Sequence, residues 1–301
     1  MSIKLGVAPI AWSNDDMPEL GGETTLEQCL NEARKAGFTG IESGGKFPKN
    51  SDELIPKLNK ENLSLCSGWY GAQLLVNTAK DEFSLMKNQL KLFKDCKSPC
   101  MVFAEITNSV QGDPNTPLSK RPKLSKDDWN KLVLRINEIS KMMMDENMPL
   151  AYHHHMGTVV QIEEEIDKLM AMTTNDLGLV FDTGHLIYAG ADPLEVYKKY
   201  SDRVMHIHCK DVRGEILNHS LETDSSFLNS VLSGVYTVPG DGDFNFSGLF
   251  KMVGEANFSG WIVVEAEQDP AKAHPLTYVT MGYKNIKSYC EKYGIQIEER
   301  E

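Results

Sequence analysis

The chain has 301 residues, 41% hydrophobic and 25% charged, an ordinary globular composition with ample material for one large core. A net charge of -12 and a pI near 5.2 weigh against nucleic acid and anionic lipid as partners, and no Lys/Arg cluster opposes that average. No run of about 18 apolar residues offers a membrane span, and Met1–Ala8 is too short and interrupted for a signal segment. Six cysteines, none in a CxxC pair, read as the reduced thiols of a cytoplasmic protein.

Short β-branched runs alternate with longer amphipathic stretches along the whole chain. The first strand, Ile3–Ala8, precedes a helix over Leu26–Ala36 that Gly37 closes. Thr39–Ser43 is followed by helix Asp52–Glu61, and Leu63–Ser67 by Glu82–Asp95. Gly68-Trp69-Tyr70-Gly71 reads as the loop between that last pair. Cys100–Ala104 leads through a long loop, Ile106–Leu124, to helix Lys126–Glu146, which Ser125-Lys-Asp-Asp opens in the manner of a capping box. Leu150–His154 pairs with helix Gln161–Met172, and Gly178–Phe181 with Leu194–Tyr200. Val204–His208 precedes a second long loop, Lys210–Asn245, and helix Phe246–Ala256. Trp261–Glu265 and helix Pro270–Tyr293 finish the series. Eight strands in strict alternation with eight helices predict an α/β fold, a single (β/α)8 TIM barrel over residues 1–301, whereas an open doubly wound sheet usually has fewer strands.

In such a barrel the active site is built where strands end and βα loops begin. Carboxylates and imidazoles gather at those ends: Glu42 on the second strand, Glu105 on the fourth, Tyr152-His153-His154-His155 on the fifth, Asp182-Thr-Gly-His185 on the sixth, His206-Ile-His208-Cys-Lys210-Asp211 on the seventh, and Glu265-Ala-Glu267 on the eighth. Singly, each has an ordinary structural explanation: a cap or turn for Asp182, a satisfied core histidine for His208, an ion-pair partner for Glu265. Together they do not, because buried charges cost several kcal/mol unless paired or bound to a cation. Strand alternation puts His206 with His208 and His153 with His155, and turns His154 toward the helices with Tyr152. Asp182, His208 and Glu265 are therefore candidate metal ligands, since these side chains suit Mn²⁺, Co²⁺ or Zn²⁺. Trp12 and Asn14 in the first βα loop, Trp69 in the third, and Lys210 and Asp211 after the seventh strand are candidate substrate contacts. His155, His185, Lys46 and Glu42 are the titratable candidates for acid–base work.

Phe-Asp182-Thr-Gly-His185, His206-Ile-His208-Cys-Lys-Asp211 and Val-Val-Glu265 resemble the metal-site segments of the xylose-isomerase-like barrel superfamily. Leu5–Gly22, Gly40-Ile-Glu42-Ser-Gly-Gly-Lys46-Phe-Pro48 and Tyr152-His-His-His-Met-Gly-Thr158 are more specific still, and resemble the inosose dehydratase family over essentially the whole chain. That resemblance implies dehydration of scyllo-inosose (2-keto-myo-inositol) to a trihydroxycyclohexane dione in inositol breakdown. It also implies Mn²⁺ or Co²⁺, and brings glutathione as an associated cofactor to which no residue pattern here points. The wider superfamily has a Glu ligand at the end of strand five; the histidine run stands there instead, which puts His153 in the metal set with His155 as the alternative. The partner implied is a small keto-cyclitol, and assembly into a homo-oligomer is compatible with the sequence.

A rival on the same barrel is a metal-dependent sugar or keto-polyol isomerase or epimerase. Epimerases of this group keep the strand-five Glu and an Arg several residues after the strand-seven histidine, where this chain has histidine and Gly214, with Arg213 adjacent. A multi-zinc DNA-repair endonuclease would need a basic face that the charge opposes.

Overall fold

The computed structural model describes residues 2–298. Eight parallel strands form its barrel: β1 (Ser2–Val7), β2 (Gly40–Ser43), β3 (Ser64–Ala72), β4 (Met101–Glu105), β5 (Leu150–His153), β6 (Leu177–Asp182), β7 (Val204–Cys209) and, closing the ring, Gly260–Val264. That last strand is β10, because a two-stranded antiparallel ribbon of β8 (Asp211–Val212) and β9 (Tyr236–Thr237) intervenes. β10 pairs with β7 on one side and with β1 on the other, Ile3 opposite Gly260 through Val7 opposite Val264. β11 (Gln296–Ile297) adds to the start of β1 at the bottom of the barrel.

The outer layer comprises α1 (Leu26–Ala36), α2 (Ser51–Lys60), α3 (Ala79–Asp95), α4 (Lys126–Asp145), α5 (Glu163–Met172), a short α6 (Thr183–Tyr188), α7 (Pro193–Tyr200), α8 (Gly214–Glu222), α9 (Phe227–Leu232), α10 (Phe246–Glu255) and α11 (Pro275–Lys292). Side-chain oxygens open most of them: Thr25 accepts from Gln28 N, Ser125 from Asp128 N, and Asn245 from Gly248 N. Gly37 ends α1 at a φ of 115°, in the left-handed region. The main core lies between the strands and these helices, including Leu5, Phe38, Phe103, Phe181, Leu249 and Ile286.

Three expectations change. β3 runs on to Ala72, so Gly68–Gly71 is strand and not loop; Trp69 to Ala72 pair with Val102 to Glu105, a ladder that two glycines disguise as a turn. The 210–245 segment is structured, holding α8, α9 and the β8–β9 ribbon. Phe227, Val231 and Tyr236 from it join Met17, Leu118 and Met156 in a second small core over the barrel mouth. The strict alternation of eight strands with eight helices also breaks, because α6 and α7 both follow β6 and α8, α9 and α10 follow β7; on β7 itself Leu179 faces Val204 but Val180 faces His206, so Met205 is a bulged residue.

Inside the lower barrel, Trp261 packs with Ala8, Cys66 and Val263. A Cβ at Gly40 would lie 2.4 Å from its indole ring. Gly40→Ala is expected to overpack this floor and cost about 1–3 kcal/mol of stability, read as a lowered urea midpoint at unchanged m-value.

Candidate metal centre

The top of the barrel is where the strands deliver their polar ends. Asp182 is the last residue of β6 and also the N-cap of α6: its Oδ1 accepts from His185 N at 2.9 Å. The cap uses one oxygen only, and Oδ2 is buried without a hydrogen-bond partner. His208 Nδ1 and Glu265 Oε2 are likewise buried and unpartnered; they lie 2.6 Å apart, angled past one another. His153 Nε2 is 3.5 Å from Asp182 Oδ2, and His208 Nδ1 is 3.4 Å from it. Ligand atoms from His153, Asp182, His208 and Glu265 thus converge within 4.8 Å of one another. Around an ion with bonds of about 2.1 Å, tetrahedral ligands sit roughly 3.4 Å apart, so this donor set fits a divalent cation, with the His208–Glu265 pair opening slightly.

The other nitrogens of both histidines are engaged in the way metal-bound imidazoles require. His153 Nδ1 meets the carbonyl of His154 at 2.6 Å, which makes it the N–H and leaves Nε2 its lone pair. His208 Nε2 lies 3.2 Å from Glu42 Oε1, which also takes His206 Nε2 at 2.9 Å. Burial would raise the Glu42 carboxyl, but the His208 and His206 imidazoles hold it well below the usual carboxylate range. Burial would likewise push the His208 imidazole down, but Glu265 and Glu42 raise it far above its ordinary value. Burial opposes ionisation of Asp182 too, and the Lys210 ammonium, then His185, bring it well below normal. The carboxylates around His208 thus favour positive charge at the point where a metal would place it.

Lys210 lies behind this cluster, fully buried. Its Nζ is 2.6 Å from Glu267 Oε2, 3.3 Å from Glu265 Oε1, 3.7 Å from Asp182 Oδ2 and 3.1 Å from His185 Nε2, over the Tyr236 ring. His155, His185 and Glu267 form a second group of convergent atoms beside the first. His155 donates from Nδ1 to the Met156 carbonyl at 2.8 Å. Its ring is wedged against His185, Phe227 and Trp69, with centroids 4.0, 5.0 and 5.4 Å away. His154 turns from both groups, its two ring nitrogens unpartnered, and burial, followed by the neighbouring His153 ring, pushes it down to about 3.

A cavity of about 150 Å³ opens onto these residues; Glu42, His153, His155, His208, Glu265 and Glu267 line its polar side. Trp69 also lines it, as expected. Four expected residues lie elsewhere. Lys46 Nζ is bound by the carbonyls of Gly21, Gly22 and Thr24, and tethers the first loop. Trp12 is buried with its Nε1 donating to Glu32. Asn14 Oδ1 accepts from the backbone of Asp16 and Met17, shaping the turn that presents Ser13, Asp15 and Asp16 to the cavity instead. Asp211 accepts from the backbone N–H groups of Val212, Gly240, Gly242 and Phe244, and so folds the Pro-Gly-Asp-Gly-Asp loop over the barrel. Lys210 and His185 lie against the cluster but do not line the cavity, being enclosed by the carboxylates and by Tyr236. Glu105 is spent on the backbone of Leu74 and Thr107. Glu267 and Gln111 line the cavity without having been singled out as site residues; the two-residue step from Glu265 was the one signal for Glu267.

Residues 30–289 match the xylose isomerase-like TIM barrel family. The chain belongs to that family. Over 297 residues it is 41% identical to the rhizopine catabolism protein MocC of Rhizobium meliloti, covering 99% of this chain and 91% of that one. Over 288 residues it is 42% identical to the inosose dehydratase of Clostridium tetani (strain Massachusetts / E88), covering 95% and 96%. It therefore lies in the branch of the family that holds the inosose dehydratases. Among solved structures, the IOLI protein with a bound zinc atom superimposes with a TM-score of 0.71 at 15% identity, over 98% of this chain and 99% of that one, a likeness of fold. No helix among the described residues is long and apolar enough to cross a membrane.

Proposed function

We propose that this chain is a metal-dependent hydro-lyase that removes water from scyllo-inosose to give a trihydroxycyclohexane-1,2-dione in inositol breakdown. The observation that carries the reading is the set of three buried, unpartnered ligand atoms, on Asp182, His208 and Glu265, facing one point with His153 Nε2 beside them, in a chain 42% identical to an inosose dehydratase.

His153, Asp182, His208 and Glu265 hold the metal, and Mn²⁺ or Co²⁺ suits two imidazoles with two carboxylates. When bound, the ion supplies Lewis acidity that draws electron density toward a ketone oxygen as the neighbouring C–H is broken, worth several kcal/mol. Glu42 positions His208, and its own proton chemistry is committed to two imidazoles. Lys210 offsets the buried charge of Asp182, Glu265 and Glu267. Trp69 offers an apolar ring face to the cyclitol at the cavity wall, and Ser13, Asp15, Asp16 and Gln111 offer hydroxyl contacts. Glutathione has no part in this reading. The protein works in the cytoplasm, where its six unpaired cysteines stay reduced.

Glu42→Gln leaves the shape of this support and removes its charge. Metal affinity is expected to fall about 10–100-fold, measured by competition with a chromogenic chelator. Incubation of the metal-loaded protein with scyllo-inosose and detection of the dione by its absorbance tests the activity directly.

A further inference from the structure

Loss of water beside a ketone needs a group to take the α proton and a group to protonate the departing β hydroxyl. We propose that one imidazole, that of His155, does both; this rests on the dehydratase reading above. The substrate's own shape is the first argument. Around scyllo-inosose neighbouring hydroxyls alternate between the two ring faces, so the hydrogen on an α carbon and the hydroxyl on the adjacent β carbon project from the same face. A group beside that face reaches both. The two bonds are gauche and not antiperiplanar, which favours stepwise loss through an enolate over a concerted elimination.

The second argument is which side chains are available. Lys46 is tied to three carbonyls away from the cavity. Glu42 is shared by two imidazoles. His185 faces Lys210 with Nε2, has Met156 N and the Tyr236 hydroxyl at Nδ1, and does not line the cavity. Glu267 lines it but binds the Lys210 ammonium at 2.6 Å. His155 is different. Its Nδ1–H is pinned to the Met156 carbonyl, which fixes the tautomer and leaves the lone pair on Nε2. Nε2 has no hydrogen-bond partner among the described residues, and the ring lines the cavity beside His153, with centroids 5.5 Å apart. Trp69, His185 and Phe227 hold its orientation.

With the ketone turned toward the four-ligand cluster, Nε2 takes the α proton, the C–H bond breaks and its electron pair delocalises onto the ketone oxygen. The pair then returns to form C=C as the β C–O bond breaks, and the same Nε2–H gives its proton to the leaving oxygen. Water departs, the enol ketonises to the dione, and no oxidant or reductant is consumed.

The test uses metal-loaded full-length protein, scyllo-inosose and an analogue with fluorine in place of the β hydroxyls, because fluoride leaves without a full proton transfer. His155→Gln is expected to keep its metal content and its calorimetric affinity for scyllo-inosose within threefold of wild type. It should lose both water elimination and fluoride elimination at least a thousandfold. Retained fluoride loss would show that His155 is not the base. Glu267→Gln is expected to change both eliminations by the same factor; a variant that stops losing water but still loses fluoride would identify a separate acid and overturn the single-group assignment. A metal-loaded wild type that leaves scyllo-inosose untouched would instead overturn the functional reading, and this assignment with it.

Discussion

Asp182→Asn is expected to reduce kcat/KM about a thousandfold or more, roughly 4 kcal/mol of transition-state stabilisation, and to bring purified metal content close to zero. The substitution is nearly isosteric, and Asn caps a helix as well as Asp does. The contact from His185 N to the side-chain oxygen therefore survives, and α6 stays in place. What changes is Oδ2, which is fully buried, unpartnered and aimed at the same point as His208 Nδ1 and Glu265 Oε2. An amide there is a neutral and poorer ligand. The measurement is metal content by mass spectrometry beside dione formation, with circular dichroism showing an unchanged fold.

The second large effect is on stability. Lys210→Met is expected to cost about 3–5 kcal/mol, the usual result of removing one partner from a buried ionic group. Lys210 Nζ lies within 4 Å of Asp182, Glu265 and Glu267, all buried, so its loss leaves three carboxylates to share the cluster's imidazoles. Methionine fills the space without the charge. A divalent metal would neutralise Asp182 and Glu265 but not Glu267, so the deficit should shrink, and not vanish, when metal is added. Urea unfolding of the variant with and without saturating Mn²⁺ reads both numbers. A variant as stable as wild type without metal would mean that these carboxylates are protonated in the native protein.

The barrel was legible because short β-branched runs alternate with longer amphipathic stretches, most of which open on a side-chain cap. The boundaries that failed did so for local reasons. Gly68 and Gly71 imitate a turn within β3, and their strand character comes from pairing with β4, which a single segment does not reveal. The insertion after β7 has short helices whose apolar faces meet Met17 and Leu118 from distant loops, so no period within the segment marks its core. At the site, residues on strands were placed better than residues on loops. Strand pleat alone sends His208 and His153 to the barrel interior. Loop side chains answer to turn geometry, which is why Asn14 and Lys46 spend their polar atoms on backbone while Asp15 and Asp16 face the cavity. Asp182 shows that cap and candidate ligand are compatible readings of one residue, one oxygen serving each.

The central claim is that His153, Asp182, His208 and Glu265 hold one divalent ion on which turnover of a keto-cyclitol depends. Titration of chelated, metal-stripped protein with Mn²⁺ while dione formation from scyllo-inosose is followed tests it most directly. Activity should be absent at the start, rise linearly and stop rising at one equivalent. Full dione formation by the stripped protein, or saturation with metal that yields no dione, would contradict it.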